Sequence, residues 1–448
     1  MNCLLPAFLS LVVALNATVA GENPATVIQP AVTADSLDLA RVWSGHPVGF
    51  ALLTQPPFQF AAFYDAQRRL TVAQRKLAER KWTFTQLPGV TGWDSHNYLV
   101  LAADDDGYLH LSGDMHVAPL KYFRTSQPWD AATFARVEQM VGLDEKRCTY
   151  PRFLRGAGNE FLFCYRDGRS GSGNQIYNVY DPKTKTWRRF LDQPLTNGEG
   201  TNNAYFDGPV KGPDGWFHLA WVWRATPDAA TCHDLSYARS RNLRQWETGA
   251  GQPLPLPIRL KDSAIVDPVP QHGGILNSSV KLGFDHLRRP TLSYFKYDAK
   301  GDTQPFTARL ENGRWTPHQI ADWPYRWNFG GGGSLVAEVS VSGVRAESEG
   351  RLTQSFHHTK FGSGTWLLDP TTLRAVGRVP RAETPPELGK AEGAFPGLKV
   401  RWANDSGESG APGLRYKLRW ETLDANRDKP REGPLPPPSM LRLIVVRS

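Results

Sequence analysis

The sequence predicts an all-β fold, a seven-bladed β-propeller, on three observations. Gly, Pro and Trp are plentiful, at 41, 35 and 15 of 448 residues, and short apolar runs are punctuated throughout by Gly, Pro, Asp and Asn, the grammar of strands and turns. Four stretches align on a turn glycine: "DDDGYLHLSGDMH" ending in His116, "GAGNEFLFCYRD" carrying Arg166, "GPDGWFHLAWVWR" ending in Arg224, and "EGRLTQSFHHT" carrying His358. Between them lie segments such as "YDPKTKTWRRF", "SRNLRQWET" and "LENGRWTPHQI", each a turn followed by a strand with a Trp. A pitch of about 50–70 residues matches one four-stranded blade, and the chain length then gives about seven blades.

Taken in order, residues 1–20 read as a secretory signal peptide: "LLPAFLSLVVALNATVA" has an apolar centre and small residues up to Ala20. The mature chain is therefore expected to be secreted or periplasmic. Residues 21–448 read as a single propeller domain, with the Pro-rich stretches at 384–397 and 431–439 as loops. "DAATFARVEQMVGL" (130–143) is the helical candidate. The last strand, "MLRLIVVR", is placed to pair near the amino terminus and close the ring, which would leave no free sheet edge. No later run is long and apolar enough for a membrane helix.

Cys3 falls in the signal, leaving Cys148, Cys164 and Cys232. An odd count without C-x-x-C argues against a disulfide framework and against a zinc or redox motif. A Cys148–Cys164 bridge and plain buried thiols both remain open. The net charge of +8 is spread without a Lys/Arg block, which argues against nucleic acid and suits an anionic substrate such as an acidic sugar polymer.

In a propeller, equivalent positions of successive blades point towards one axis. That groups His116, Arg166 and Arg224. His96 in "WDSHN", Tyr150 in "CTYPRF" and Tyr205 in "NNAYFDG" open the segments before them and join the same pocket. His110 and His218 read as structural, and Asp94, Asp114 and Asp207 as turn residues.

Glycoside hydrolysis ordinarily uses two carboxylates, whereas this group offers histidines, tyrosines and arginines. β-Elimination at a uronic acid fits them better. A neutral His can remove the C5 proton, a Tyr can protonate the departing O4, and Arg can neutralise the adjacent carboxylate as charge develops. Trp93, Trp221 and Trp327 are candidates for stacking on sugars, so a non-catalytic glycan-binding propeller is a further reading. His96 with His116 is also a candidate metal pair lacking an evident third ligand.

The segments "SGHPVGFALLT" (44–54), "GWDSHN" (92–97), "GDMH" (113–116), "TYPRF" (149–153), "YRDGRSGSGNQIYN" (165–178) and "DGWFHLAWVWR" (214–224) resemble the BNR-repeat propellers related to ulvan lyases. They are most similar to the branch acting on rhamnose-α-1,4-glucuronate, and the likeness covers roughly residues 40–360. The resemblance implies a polysaccharide lyase of a rhamnose- and glucuronate-containing polymer of the arabinogalactan, gum arabic or ulvan type. It implies His96, His116, Tyr150 and Arg166 as catalytic residues, with His116 or His96 as base and Tyr150 as proton donor. Arg224, Tyr205 and Trp93 are the expected substrate contacts. The alternative within the branch is an α-L-rhamnosidase acting at the opposite face through a histidine that matches His46. No cofactor is expected to be required, though relatives sometimes carry a structural calcium or zinc.

Overall fold

Alternating apolar strands and Asx–Gly turns assemble into seven antiparallel sheets among the described residues, which are 32–380 and 385–447 of the computed structural model. The signal expected over residues 1–20 lies outside them. Each sheet is one blade. Blade one is Ala51–Gln55, Phe58–Tyr64, Arg69–Lys76 and Thr83–Val90. Blades two to six open, in order, on Leu99–Ala103, Cys148–Arg155, Asn203–Lys211, Lys281–Phe284 and Val339–Val341.

Blade seven joins the two ends of the described chain, the last strand pairing with the amino-terminal one as the sequence suggests. Lys399–Asn404, Leu414–Thr422 and Ser439–Arg447 are completed by the amino-terminal strand Val32–Val42, which pairs antiparallel with Ser439–Arg447. Leu52 bridges in parallel to Asp405, so the opening strands of blades one and seven are neighbours.

Blades bury their apolar faces against each other. Trp221 and Trp223 of blade four lie fully buried with Leu162 and Val179 of blade three. Trp221 therefore has no face to offer a sugar. The Gly-turn repeat also carries a buried hydrogen-bonded unit. His110 Nδ1 lies 2.7 Å from Tyr122 Oη and Nε2 lies 3.2 Å from Asp104. His218 repeats this with Tyr237 at 2.7 Å and Asp214 at 2.9 Å. A buried imidazole needs both nitrogens satisfied, and these two are structural, as expected.

One expectation is corrected. The helical candidate over 130–143 is a short 3-10 turn at Ala131–Thr133, capped by the Asp130 side chain, followed by the outer strand Phe134–Val137. Pairing with Tyr122–Thr125 and burial of Phe134 outweigh the local helical spacing. His358 does not turn towards the shared cleft. It is buried beside Trp323 and Tyr325, and its Nδ1 accepts the backbone N–H of Lys360 at 2.9 Å.

Cys148, Cys164 and Cys232 are free and buried, so the thiol reading holds over the bridge. No helix among the described residues is long and apolar enough to cross a membrane.

Candidate active site

The segment before blade two builds the first histidine. Asp94 caps a single 3-10 turn over Ser95–Asn97, its Oδ1 accepting the His96 backbone N–H at 2.8 Å. The same oxygen lies 2.6 Å from His96 Nδ1. The chain runs out along Leu99–Ala103, reverses at the DDDG turn and returns along Leu109–Gly113. Gly107 makes that turn possible, with φ of 85°. A Cβ there would sit 2.4 Å from the Trp129 ring.

His116 then leaves blade two. The strand His116–Ala118 pairs with Cys148 and Thr149 of blade three. His116 is thus not the blade-equivalent of Arg166 and Arg224. It reaches the cleft because the chain crosses between blades. The crossing strains the backbone: Asp114 and Val117 have φ of 56° and 52°, and a β-branched residue there is a genuine outlier. The Thr149 hydroxyl holds it by accepting the Val117 N–H at 2.9 Å. Strain of this kind persists only where surroundings over-determine it, and it clusters at functional sites.

The result is a histidine pair sharing one carboxylate. His116 Nδ1 lies 2.5 Å from Asp94 Oδ2. The two rings stack with centroids 4.0 Å apart and planes 20° from parallel. Burial alone would raise the Asp94 carboxyl, but the hydrogen bonds to His116 and His96 outweigh it and hold the group well below the usual carboxylate range. Asp94 is therefore an anion that only accepts. Both Nδ1 atoms bond it, and an Nδ1 facing a carboxylate that only accepts does so as the donor.

Tyr150 sits at a register break between Thr149 and Arg152, with φ of 59°. Such a bulge re-aims a side chain. Its ring meets His96 edge-on at 5.4 Å and Tyr205 at 5.9 Å. Burial, with Tyr205 beside it, pushes the phenol well above its ordinary value, against the pull of Arg166 and Arg224. It holds its proton at neutral pH.

Arg166 is only 2% exposed. Its guanidinium lies 5.0 Å from the Tyr150 ring centre and donates to Thr149 at 3.0 Å and Tyr205 at 3.4 Å. Gly173 permits this packing, since a Cβ there would approach Arg166 Cδ to 2.9 Å. Arg224 donates from Nε to the Thr226 carbonyl at 3.0 Å and from Nη2 to the Pro227 carbonyl. Tyr205 donates to Ser170 at 2.9 Å.

His96, His116, Tyr150, Tyr205 and Arg224 line one cleft of about 1020 Å³. Trp327 lines it too. Trp93 does not: it packs edge-on against Trp43 at 5.0 Å and against His46 at 6.2 Å. His46 is 1% exposed, and its Nε2 lies 3.8 Å from Asp428. Asp428 in turn lies 3.7 Å from His96 Nδ1. His46 thus stands behind the same cluster and not on the opposite face.

Three participants escape a reading by residue type. Asp94 is a turn cap, as its neighbours suggest, and also the shared carboxylate. Asp428 comes from the loop before the last strand and has no motif. Arg169, in "YRDGRSG", is an exposed guanidinium lining the cleft. Asp114 is paired with Lys121, which offsets its charge near His116.

Asp94, His96 and His116 form a group of three donors within 4.8 Å of one another. Two imidazoles and a carboxylate are zinc ligands by type. By type and number they match the three protein ligands of a catalytic zinc site, whose fourth position stays open; as placed, both Nδ1 atoms bond Asp94. Among the described residues no other such cluster gathers, including the acidic side chains calcium favours.

Seven blades and a cleft lined by two histidines, tyrosines and arginines define a β-propeller with a polar site. The chain belongs to the BNR repeat-containing family, whose profile matches residues 58–323, more than half of its length. The fold is similar to that of polysaccharide lyase Uly1, at 14% identity over 93% of this chain and 99% of that one, with a TM-score of 0.61. It is similar to a PL25 ulvan lyase at 12% identity, covering 93% and 98%, with a TM-score of 0.60. The same lyase bound to -[GlcA(1-4)Rha3S]- matches at 12% identity over 93% and 98%, with a TM-score of 0.59. At such identities the likeness concerns the fold. No curated protein sequence matches the chain.

Proposed function

We propose that the protein is an exported polysaccharide lyase that cleaves a rhamnose–glucuronate linkage by β-elimination. The observation that carries the reading is the Asp94-bridged histidine pair with Tyr150 edge-on to His96 in one cleft. The fold-level likeness to ulvan lyases, one of them bound to a glucuronate–rhamnose sulfate repeat, supports it.

The glucuronate binds with C5–H towards an imidazole Nε2, whose Nδ1–H is fixed by Asp94. The carboxylate lies in the field of Arg166 and Arg224, which stabilises the negative charge that builds on it as C5 loses its proton. The C5–H bond breaks to His, the C4–C5 double bond forms, and the C4–O4 bond breaks. Tyr150 gives its proton to O4, and solvent exchange restores both groups. The products are a 4,5-unsaturated uronate and the released rhamnose end. No metal or organic cofactor enters these steps.

Digestion of gum arabic or ulvan is expected to build the ultraviolet absorbance of an unsaturated uronate. His116→Ala and Tyr150→Phe are each expected to abolish it. Full activity in both variants would show that the site is assigned wrongly. The rhamnosidase reading centred on His46 requires an accessible His46, which its burial opposes.

A further inference from the structure

Three neighbouring strands place three residues in one row. Thr149 of Cys148–Arg155 pairs with Arg166 on one side and with His116 on the other. Residues opposite each other in a ladder share a face of the sheet, so Thr149 stands between His116 and Arg166. It is fully buried, and a buried hydroxyl is costly unless it is bonded. Its Oγ1 accepts two N–H groups, the Val117 backbone amide at 2.9 Å and Arg166 Nη2 at 3.0 Å. The first belongs to the crossing strand that carries His116, at the residue whose φ is 52°. The second is the shorter of two hydrogen bonds from the Arg166 guanidinium. The other, from Nη1 to Tyr205, spans 3.4 Å, and Nε is buried without a partner. A valine has nearly the same shape and the same preference for strands. Strand formation and packing alone therefore do not require the hydroxyl.

We propose that Thr149 is a positioning residue whose single hydroxyl sets the spacing between His116 and the Arg166 guanidinium. The inference rests on the lyase reading, in which the uronate presents C5–H to a histidine and its carboxylate to arginine. C5 and the carboxylate carbon are bonded neighbours. The proton acceptor and the cation must therefore keep one fixed separation as charge builds on the carboxylate. One oxygen bonded to both sides supplies that separation. The bond to Val117 pins the strained crossing immediately after His116, and such strain persists only where its surroundings over-determine it. The bond to Arg166 orients a guanidinium otherwise held by Tyr205 and by the Tyr150 ring, whose centre is 5.0 Å away. Thr149 is sealed from solvent and is not among the residues lining the cleft. It acts through these two partners and not on substrate.

The test compares full-length Thr149→Val, which keeps the shape and removes the acceptor, with Thr149→Ser, which keeps the acceptor and loses a methyl group. Rates are read from unsaturated product on gum arabic or ulvan, with circular dichroism for the fold. Thr149→Val is expected to lose about 10²-fold in kcat, the scale of an ångström of misplacement, with KM within about threefold. Thr149→Ser is expected to keep kcat within about threefold of the parent. A merely structural role predicts the reverse order, because the serine leaves a void and the valine does not. Independently of turnover, hydrogen–deuterium exchange at the Val117 amide is expected to speed at least about tenfold in Thr149→Val and to stay near the parent rate in Thr149→Ser. If the valine variant does not fold, Thr149→Cys, a weak acceptor of similar size, replaces it with the same expected order. A folded Thr149→Val with parental kcat overturns the proposal. So does a loss as large in Thr149→Ser, or unchanged exchange at Val117. A parent that makes no unsaturated product refutes the lyase reading instead, and the exchange rates then decide whether Thr149 holds the crossing.

Discussion

Asp94→Asn is the perturbation that reaches furthest into the proposed site. The wild-type carboxylate accepts Nδ1–H from His96 at 2.6 Å and from His116 at 2.5 Å. An asparagine has one acceptor oxygen. Its amide can satisfy one ring as before, but its NH₂ meets the other Nδ1 as a donor and forces that ring into the opposite tautomer. The lone pair then leaves Nε2, and the two rings lose their common anion. Each charge-assisted bond is worth about 1.5–3 kcal/mol. If both support the transition state, the loss is about 3–6 kcal/mol, or about 10²–10⁴-fold in kcat at ~1.36 kcal/mol per decade. The assay is the initial rate of ultraviolet absorbance from unsaturated product on an acidic polysaccharide, with circular dichroism to confirm the fold. A folded variant within about threefold of the parent, well under one decade of that scale, would refute the idea that the shared carboxylate sets the tautomers.

Other consequences are independent of that one. Because burial holds the Tyr150 phenol protonated, Tyr150→Phe should remove turnover at every pH between about 6 and 9, with substrate binding retained by equilibrium measurement. A merely shifted pH optimum would contradict the donor role. Arg169 is exposed in the cleft, so Arg169→Ala should raise KM about tenfold and leave kcat within about twofold, as expected for binding shared equally by ground and transition states. The Asp428 carboxyl is raised by burial but lowered further by His46, Ser334 and His96, to about 2. A depressed carboxyl stabilises fully above its unfolded value near ~3.9 and loses that contribution as pH falls through the folded one. The stability gap between parent and Asp428→Asn, about 2 kcal/mol at neutral pH, should close as pH falls from about 4 to about 2, read as converging Tm values. A gap constant across that window would contradict it.

The propeller was legible because its signal is repetitive. The Gly-turn strands ending near Arg166 and Arg224, and the outer strands around Trp187 and Trp246, fall where the alignment puts them. The closing strand is legible from "MLRLIVVR" pairing with the amino-terminal strand. The site was legible as residue types and partly as positions, since His96, His116, Tyr150, Tyr205 and Arg224 line one cleft. The connections were not. His116 joins blade three by a strained crossing at Asp114 and Val117, and no residue spacing announces that. Asp94 looks like a turn cap because it is one, and its second role depends on where His116 lands. Asp428 is 332 positions beyond His96 and lies beside it only because blade seven joins the two ends of the described chain. Trp93 and Trp221 show the limit of residue type as a guide to sugar contact: one packs on His46 and the other is sealed between blades.

The most direct measurement is product analysis of the parent enzyme on gum arabic and on ulvan, by ultraviolet absorbance and chromatography together. The account predicts a growing enoate absorbance matched by a 4,5-unsaturated glucuronate in the product. Free rhamnose accompanied only by saturated glucuronate would contradict it, because the linkage would then have been hydrolysed and not eliminated.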